Sequence, residues 1–375
     1  MTISNQRNLF DIPDGLSYLN CAQQSPLLNA VCRAGETGVS LKAHPWTDFR
    51  TQAAADAETA RDLFARLIGA TGDDIAIIPA TSYGVAVAAA NLPIDRGRNI
   101  VVTQDQFPSD YYAWRHLAEQ SGAELVTVSR PADGDWTDAV LAAIGEDTAI
   151  VSAPPCHWTD GGAIDLNAVG ARCRDVGSAF VIDATQAAGA MPLDVAALQP
   201  DFLVSSAYKW LLCPYTLGFL YAAPHRQQGQ PIEWHEWAVS AMEAPSSQTD
   251  GKARGARRYD MGERNNPINL KMALAALEQL LDWGPETIAA TVKHLTDKIA
   301  DGATGRGFSV PPAAHRVSHI IGLRRPEAWP ADIIERLAAD NVYVSQRGDS
   351  LRVSPHVFND ASDIDRFFAA LDRAL

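Results

Sequence analysis

Two polar clusters follow apolar runs of the sequence and could do chemistry together. Asp183 follows the run Phe180–Ile182, and Lys209 comes shortly after the run Phe202–Val204. Because ligands of open α/β sheets bind outside the carboxyl ends of the strands, we expect both side chains at one edge of a sheet. A lysine there can hold an aldehyde as a Schiff base, and a carboxylate can keep a pyridine nitrogen protonated. The pair therefore predicts pyridoxal phosphate as the cofactor.

Neither residue would support that prediction by itself. A lone lysine after a strand is most often a solvated surface residue, and a lone aspartate is most often a helix cap. The occurrence of both types, each directly after its own strand, favours a cofactor site over these two alternatives.

The elements that must position these side chains alternate between short strands and longer helices, which is typical of βα units in a mainly parallel sheet. The sequence predicts strands at Ile75–Ile78, Asn99–Thr103, Glu124–Val128, Ala149–Ala153, Phe180–Asp183, Phe202–Ser206 and Gly218–Tyr221. It predicts helices near Gly84–Asn91, Ser109–Gln120, Leu166–Val176, Asn269–Trp283, Glu286–Ala300 and Ala361–Ala374. The expected fold class is α/β, with a large domain of mainly parallel seven-stranded sheet over residues 16–255. Residues 1–15 and 256–375 are expected to form a smaller α+β domain.

Composition limits the classes of protein to which the chain can belong. Its 375 residues are 47% hydrophobic and 20% charged, which is typical of a globular protein. The formal net charge of −14 opposes binding to nucleic acid or to an anionic membrane, so neither is an expected partner. The five cysteines lack metal-ligand spacing, and no apolar run approaches the length of a membrane span. We therefore expect free thiols and a cytoplasmic location.

Other catalytic and nucleotide-binding motifs are incomplete. The glycine-containing stretches that begin at Gly69 and Gly302 match neither GxGxxG nor the P-loop. The stretch Ala80–Gly84 begins with alanine where a nucleophile elbow has glycine, and His235 and Glu236 lack the second histidine of a zinc protease. These gaps disfavour nucleotide-binding, hydrolase and metalloprotease functions, and no metal site is expected.

The segments DATQAAGAMPLDV, from Asp183, and SSAYKWLLCPYTLGFLY, from Ser205, resemble the cofactor signature of the class V aminotransferases. Weaker similarity extends from YLNCAQQSPL near Tyr18 to LRVSPHVFND near Leu351, so the resemblance covers nearly the whole chain. This family comprises fold type I pyridoxal phosphate enzymes and includes cysteine desulfurases, kynureninase and isopenicillin N epimerase-like proteins. The resemblance implies that fold, that cofactor, and a homodimer with its active site at the subunit interface.

The resemblance also implies which residues hold the phosphate of the cofactor. Thr81, Ser82 and Tyr83 stand where a predicted strand gives way to a helix, and the backbone amides and dipole of a helix start bind phosphate. Simple helix capping is the alternative for these three residues. Ser206 and Tyr208 match the family's side-chain contacts to the same phosphate.

Further residues are expected around the cofactor ring. Phe107, in FPSDYY, matches the kynureninase-like position that stacks an aromatic ring on the cofactor, whereas an isolated phenylalanine there is usually core. Gln186 matches the position that hydrogen-bonds the phenolic oxygen, and Thr159 is expected near that same oxygen. His157 is expected to be a structural histidine with satisfied hydrogen bonds, and a proton shuttle is its alternative role.

Substrate contacts are expected from segments near both ends of the similarity. Arg352, in LRVSPH, matches the arginine that grips the substrate α-carboxylate, a task for which the guanidinium fork is well suited. Without the resemblance, a surface salt bridge would be the favoured interpretation of Arg352. Asn20 is expected to contact the substrate. The positions expected to determine side-chain specificity are Asn20–Gln24, Trp234–Trp237, Arg254, Arg257 and Arg258.

One segment departs from the family pattern. In RYDMGERNNPIN, the family has a loop that reaches the phosphate in the partner subunit, often through Gly-Thr, but here Gly262 is followed by Glu263. Arg264 and Asn265 are the expected substitutes for that contact.

The cofactor signature implies a shared first step and leaves the reaction open. Removal of the Cα proton by Lys209 gives a quinonoid, from which transamination, β-elimination or racemisation can follow. We expect an aminotransferase acting on an amino acid, with a carbon-sulfur β-lyase or an epimerase as alternatives and a non-catalytic scaffold as a remote one. A persulfide-forming desulfurase is disfavoured, because the last cysteine, Cys213, lies only four positions after Lys209.

Overall fold

A seven-stranded sheet lies at the centre of this computed structural model, which describes residues 2–235 and 253–375. The strands are β1 (Ser17–Tyr18), β2 (Ile75–Ile78), β3 (Asn99–Thr103), β4 (Glu124–Val128), β5 (Thr148–Ser152), β6 (Ala179–Asp183), β7 (Phe202–Ser206), β8 (Gly218–Ala222), β9 (Ile321–Leu323), β10 (Val342–Tyr343), β11 (Ser345–Arg347) and β12 (Ser350–Val353). The central sheet has the order β2-β8-β7-β6-β5-β3-β4. Strand β8 runs antiparallel to β2 and β7, and the pairs among β3 to β7 are parallel. The predicted sheet is confirmed, and each predicted strand end lies within one residue of the observed one.

Helices cover both faces of this sheet. They are α1 (Asn29–Ala43), α2 (Phe49–Ile68), α3 (Thr81–Asn91), α4 (Pro108–Ser121), α5 (Trp136–Ala143), α6 (Leu166–Val176), α7 (Val195–Leu198), α8 (Pro267–Trp283), α9 (Pro285–Thr304), α10 (Ile333–Ala339) and α11 (Ala361–Ala374). Because strand side chains alternate between faces, Ile75 and Ile77 pack in the core that contains α2 and α6, whereas Ala76 and Ile78 pack with α3 and α4. Within the described ranges, no helix has the length and apolar content needed to cross a membrane.

Helix α8 packs against α1 and α2, although it falls in the range predicted for the small domain. Leu270, Leu277 and Leu280 of α8 are buried in the same core as Phe64 of α2 and the central sheet. This packing joins residues from both sides of the predicted boundary, and the boundary itself stays a prediction.

The close approach of α1 and α8 leads to a prediction about stability. A Cβ added at Gly38 would lie 2.6 Å from the Cα of Ile268 and from the carbonyl oxygen of Pro267, and these backbone atoms cannot turn aside. We expect Gly38→Ala to lower the free energy of unfolding by about 1–3 kcal/mol, because overpacking outweighs the gain in helix propensity. Denaturant unfolding measures the change. Gly145→Ala is the control, since its Cβ would meet no atom within 4 Å, and equal stability of the two variants would contradict the prediction.

The chain beyond α9 forms the smaller α+β part that the sequence predicts. Strands β11, β12 and β9 form an antiparallel sheet in that order, and α10 and α11 pack on it through a core of their own. The first strand of the chain joins this part, because Ser17 of β1 pairs in parallel with Val342 of β10. Residues that follow β1 therefore run between the small part and the central sheet.

Candidate active site

A cavity of about 510 Å³ lies at the carboxyl ends of the parallel strands. The predicted site residues that line it are Thr81, Ser82, Phe107, Asp183, Gln186, Ser206, Tyr208 and Lys209. Four predicted site residues, Tyr83, Thr159, Asn20 and Arg352, do not line it. Residues of the lining that sequence reasoning missed include Gln106, Asp110, Cys156, Trp158, Thr185 and Tyr215. The sheet topology thus brings Asp183 and Lys209 to one edge, as the strand ends predict.

Lys209 follows β7 and has its amine inside the cavity. Its Nζ lies 5.2 Å from the ring centroid of Phe107 and 5.5 Å from that of Tyr208. Burial lowers the pKa of the amine to about 8; the Asp183 carboxylate opposes this shift, and two nearby arginines add to it. Near pH 8, the Lys209 amine is therefore neutral, and so nucleophilic, in about half of the protein molecules.

This pKa leads to a prediction about cofactor capture. Because the neutral amine attacks the aldehyde, we expect the rate at which the cofactor-free protein binds pyridoxal phosphate covalently to rise about tenfold from pH 6 to pH 7 and to level off above about pH 8.5. Stopped-flow absorbance measures the rate, and free N-acetyl-lysine, whose pKa is unperturbed, gives the reference profile. A protein rate that keeps rising to pH 10 in parallel with the reference would contradict the lowered pKa.

Asp183 lies beside a second buried carboxyl group, that of Asp110. The amide of Thr185 donates to Asp183 Oδ1 at 2.9 Å, and Gln106 Nε2 donates to Asp110 Oδ2 at 3.2 Å. Burial and the Asp183 carboxylate raise the pKa of Asp110 well above its usual range. Burial raises the pKa of Asp183 too, but hydrogen bonds from Thr185 and Asp110 counteract this rise. Asp110 is therefore the member of the pair that holds a proton more readily, and Asp183 is the member that ionises more readily.

The spacing of Asp110 is the signal that could have identified it. It lies three residues after Phe107, at the start of α4, and residues three apart share one face of a helix. The predicted aromatic contact at Phe107 therefore implied that Asp110 would face the same cavity.

The start of α3 faces the cavity and has no side-chain cap. Ala80 is the N-cap residue, and the first amides of a helix, here those of Thr81 and Ser82, have no partner within it. The hydroxyl of Thr81 lies 2.9 Å from that of Thr185 and 2.7 Å from that of Ser206. The Thr81 hydroxyl thus bonds across to the ends of β6 and β7 and does not cap its own helix. A helix N-terminus surrounded by three hydroxyls can bind a phosphate group.

Four aromatic rings enclose the side of the cavity near Lys209. Phe107 meets Trp158 edge to face, with ring centroids 5.4 Å apart, and Tyr208 stacks on Tyr215 with centroids 4.1 Å apart. Trp158 is fixed by a hydrogen bond from its Nε1 to the carbonyl oxygen of Asp105 at 2.7 Å. These rings exclude water from a flat ligand, and the stacking role of Phe107 stays a prediction.

Gln186 lines the cavity with its amide group already bonded. Its Nε2 donates to the carbonyl oxygen of Ala22 at 2.9 Å, and Trp210 Nε1 donates to its Oε1 at 2.8 Å. The hydrogen bond predicted from Gln186 to the phenolic oxygen of the cofactor would replace or share one of these contacts, and it stays a prediction.

Thr159 and His157 form a hydrogen-bonded cluster with Arg130, and a place for Thr159 near the phenolic oxygen stays a prediction. The hydroxyl of Thr159 accepts from Arg130 at 3.0 Å and donates to His157 Nδ1 at 2.7 Å. His157 Nε2 donates to the carbonyl oxygen of Gln104 at 2.8 Å, and burial lowers the histidine pKa to about 4. Both ring nitrogens are therefore engaged on a neutral ring, which favours the structural interpretation of His157 over a proton shuttle.

Tyr83 does not line the cavity, and its contact with the phosphate stays a prediction. Its amide donates to the carbonyl oxygen of Ala80 at 3.1 Å within the first turn of α3, and its hydroxyl donates to the carbonyl oxygen of Asp260 at 3.3 Å. The helical rotation from Ser82 to Tyr83 turns the ring away from the cavity.

The three arginines predicted to determine specificity bond to other parts of the surface. Arg254 and Arg257 pair with Asp73 at 2.5 Å and 2.8 Å, and Arg258 Nε donates to the carbonyl oxygen of Gly229. None of the three lines the cavity, because these contacts hold them around the far end of β2.

The segment around Trp234–Trp237 is described only as far as residue 235, and Trp237 lies outside the described residues. Trp234 is exposed.

Arg264 Nε lies 3.0 Å from the carboxylate of Asp260. The contact predicted from Arg264 or Asn265 to the partner subunit stays a prediction.

Arg352 is buried beside the cavity with an incomplete set of partners. Its Nε donates to Ser345 Oγ at 3.2 Å and its Nη1 to the carbonyl oxygen of Trp158 at 2.8 Å, whereas Nη2 has no partner among the described residues. Burial, with a contribution from Arg347, lowers its pKa to about 9. A buried guanidinium without a carboxylate partner is an anion site, as the predicted contact to a substrate carboxylate requires.

Asn20 is also buried close to this arginine. It forms a bridge with Ser354, two residues after Arg352, and its Oδ1 has no partner among the described residues. A few residues later, Ser25 Oγ donates to the carbonyl oxygen of Lys209 at 2.6 Å. The segment after β1 thus connects the Arg352 strand to the lysine, and Asn20 as a substrate contact stays a prediction.

The cavity residues fit pyridoxal phosphate. The uncapped start of α3 offers amide and hydroxyl donors for the phosphate, and the Lys209 amine is free to hold the aldehyde. The ionised Asp183 with its protonated partner Asp110 suits a ring nitrogen that must stay protonated. The chemistry of these donors therefore matches the three polar ends of the cofactor.

Comparisons with known proteins agree with this fit. The family described as "Aminotransferase class-V" matches residues 37–367. The chain is 27% identical over 332 residues to isopenicillin N epimerase of Streptomyces clavuligerus, covering 84% of this chain and 83% of the relative. It is 27% identical over 356 residues to an uncharacterized aminotransferase of Bacillus subtilis, covering 94% of this chain and 93% of the relative.

A solved structure has the same fold. The structure of a C-DES mutant with glycine covalently linked to its PLP cofactor has a TM-score of 0.88 and 19% identity, and the match covers 98% of this chain and 99% of that chain. This similarity extends from the central sheet to the C-terminal part.

Proposed function

The chain belongs to the class V aminotransferase family, and from this premise we propose that it is an aminotransferase that acts on an α-amino acid. The family, its fold type I architecture and its cofactor, pyridoxal phosphate, are as the sequence predicts. The positions of the groups that can carry a proton support transamination as the reaction.

The observation that carries the proposal is that Lys209 supplies the only amine among the described residues that line the cavity, with a pKa lowered to about 8. The histidine and the carboxyl groups of the lining are poorly suited to move a proton at Cα. His157 is neutral with both nitrogens bonded, and the Asp110 and Asp183 pair shares its own proton. A single amine on one side of the substrate favours moving one proton from Cα to the cofactor carbon that is bonded to the same nitrogen, which is the transfer that transamination needs.

Different residues of the site have different roles in that proton transfer. When bound, the cofactor supplies an electron sink for the carbanion formed at Cα. Arg352 would bind the α-carboxylate of the substrate through its free Nη2 and so orient the Cα–H bond. Lys209 Nζ would accept the Cα proton, and the rings of Phe107 and Trp158 would exclude water from it.

A carbon-sulfur β-lyase and an epimerase remain the alternatives. An epimerase must also deliver a proton to the opposite face of Cα, and among the described residues of the lining there is no second amine for that step, although the phenols of Tyr208 and Tyr215 are present. A lyase that forms a persulfide on its own thiol is disfavoured at Cys156, the cysteine in the lining, because burial raises the pKa of its thiol and keeps it protonated. A lyase that releases its product directly needs no thiol and is distinguished by its products.

The test is the absorption spectrum of the holoenzyme before and after each of a panel of amino acids is added. We expect one or more donors to convert the visible band to a stable pyridoxamine spectrum, with one equivalent of the matching keto acid formed. Lys209→Ala should give no such conversion, and Lys298→Ala, a change at an exposed lysine, should behave as wild type. Pyruvate with ammonia or sulfide and an unchanged band would favour the lyase, and inversion at Cα would favour the epimerase.

We also propose that the protein is a homodimer in the cytoplasm. Trp46 and Tyr112 are large and exposed, and Tyr215 lines the cavity while remaining half exposed, which suits a site that a second subunit covers. The cysteines of the described residues are unpaired, which suits a reducing compartment. Sedimentation of a monomer that binds the cofactor at full affinity would contradict the dimer.

A further inference from the structure

The hairpin of β11 and β12 presents two arginines on one face. In the antiparallel register, Ser345 pairs with Arg352. Arg347 lies two residues after Ser345, and residues two apart on a strand point to the same face. Arg347 and Arg352 are therefore diagonal neighbours across the hairpin, at a separation within reach of long side chains.

Neither arginine pairs with a carboxylate among the described residues. Arg347 Nη1 donates to the carbonyl oxygen of Gln346 at 2.8 Å and its Nη2 to Gln23 Oε1 at 3.1 Å. Arg352 has only the Ser345 hydroxyl and a carbonyl oxygen. By contrast, Arg324, close to the end of β9, pairs with the carboxylates of Asp160 and Asp349.

Both guanidinium groups converge on the side of the cavity formed by Trp158. Their Cζ atoms lie 5.8 Å (Arg347) and 5.9 Å (Arg352) from the Trp158 ring. Arg347 is close enough to contribute to the lowered pKa of both Arg352 and Lys209, and its own side chain is partly buried. Two positive groups without carboxylate partners repel one another, and an anion with two acidic groups can neutralise both of them at once.

We propose that Arg347 binds a second acidic group on the substrate, so that the enzyme acts on amino acids whose side chain ends in a carboxylate, sulfinate or similar anion. Arg352 holds the α-carboxylate, and Arg347 holds the side-chain anion. The Gln23 side chain, which accepts from both Arg347 and Asn20 Nδ2, fixes the position of the second guanidinium. The inference rests on the proposed function only in that the substrate is an amino acid.

The test measures binding of unreactive acids to the holoenzyme by calorimetry, in buffer free of phosphate and sulfate. Succinate and glutarate are compared with butyrate and pentanoate, which have the same chain lengths and one carboxylate fewer, and 3-sulfopropionate tests whether a sulfur acid replaces the second carboxylate. We expect each diacid to bind at least about tenfold more tightly than its monoacid, since a charge-assisted hydrogen bond has this size.

Variants separate the two arginines. Arg347→Met should remove most of the preference for diacids and leave monoacid affinity within about threefold, and Arg352→Met should weaken all the acids. Arg347→Lys keeps the positive charge but lacks the paired N–H donors of the guanidinium group, so it should retain part of the preference for diacids. This variant keeps the test valid if the methionine variant folds poorly. Arg325→Met, at a partly exposed arginine paired with Glu327, is the matched control and should change nothing.

Equal affinity of the wild-type enzyme for diacids and monoacids would overturn the inference. So would an Arg347→Met variant that loses diacid affinity and monoacid affinity by the same factor. Because these acids carry no amino group, their binding does not depend on the reaction. A diacid preference in an enzyme that fails to transaminate would support the inference and refute the proposed function. An enzyme that transaminates but binds diacids and monoacids equally would support the proposed function and refute the inference.

Discussion

Lys209→Ala is expected to lower the rate of turnover by at least about a thousandfold, because the variant loses both the covalent hold on the cofactor and the group that moves the Cα proton. The amide and hydroxyl donors at the start of α3 remain, so the variant should still bind pyridoxal phosphate without a covalent bond. Steady-state kinetics and the absorption spectrum after gel filtration measure the two effects.

Two controls test whether the lower turnover of Lys209→Ala comes from the loss of its amine. Lys298→Ala changes an exposed lysine and should keep wild-type turnover. Thermal unfolding of Lys209→Ala without cofactor should occur at or above the wild-type temperature, because the buried amine no longer has to be desolvated. A variant that keeps more than a tenth of the activity would refute the assignment of Lys209.

The two buried carboxyl groups are expected to respond very differently to the same substitution. Asp183→Asn should lower turnover by at least about a hundredfold, because an amide cannot keep the pyridine nitrogen protonated. Asp110→Asn should stay within about tenfold of wild type, since an amide can still donate to Asp183 as the protonated Asp110 does. Asp110 is thus a positioning residue that acts through Asp183.

The pH profile distinguishes this role from a purely structural one. If the proton resides on Asp110, the acid limb of turnover for Asp110→Asn should stay near the wild-type position, whereas Asp110→Ala, which cannot donate, should raise the pKa of Asp183 and move the acid limb to higher pH. Equal losses in Asp110→Asn and Asp183→Asn would mean that both carboxyl groups must be ionised.

The central features of the site could be predicted because they depend on local sequence. Asp183 and Lys209 each follow an apolar run of strand length, and parallel strands bring their carboxyl ends together whatever the rest of the chain does. The same reasoning explains the near agreement of the strand ends. Thr81 and Ser82 were predictable in the same way, because a helix start after a strand is a local pattern.

The missed residues depend on contacts between distant segments. Trp158 and Arg347 are 189 positions apart by their numbers, and only the folded hairpin of β11 and β12 brings the guanidinium to the ring. The contacts of Thr159 also depend on a distant segment, since its hydroxyl accepts from Arg130, which lies on another loop. A local pattern carries no information about such partners.

The segment that follows β1 sets the order in which the site can be completed during synthesis. Ser17 pairs with Val342, and the chain between them must emerge before that pair can form. At about 5–20 residues per second, the two strands are made roughly 15–65 s apart. Ser17 therefore waits for its partner for most of translation, whereas Ser25 can bond to the carbonyl of Lys209 once that residue has emerged. The residues that fit the cofactor all lie before β8 and can assemble with the central sheet, but Arg352, on β12, can join the site only after the C-terminal hairpin has emerged.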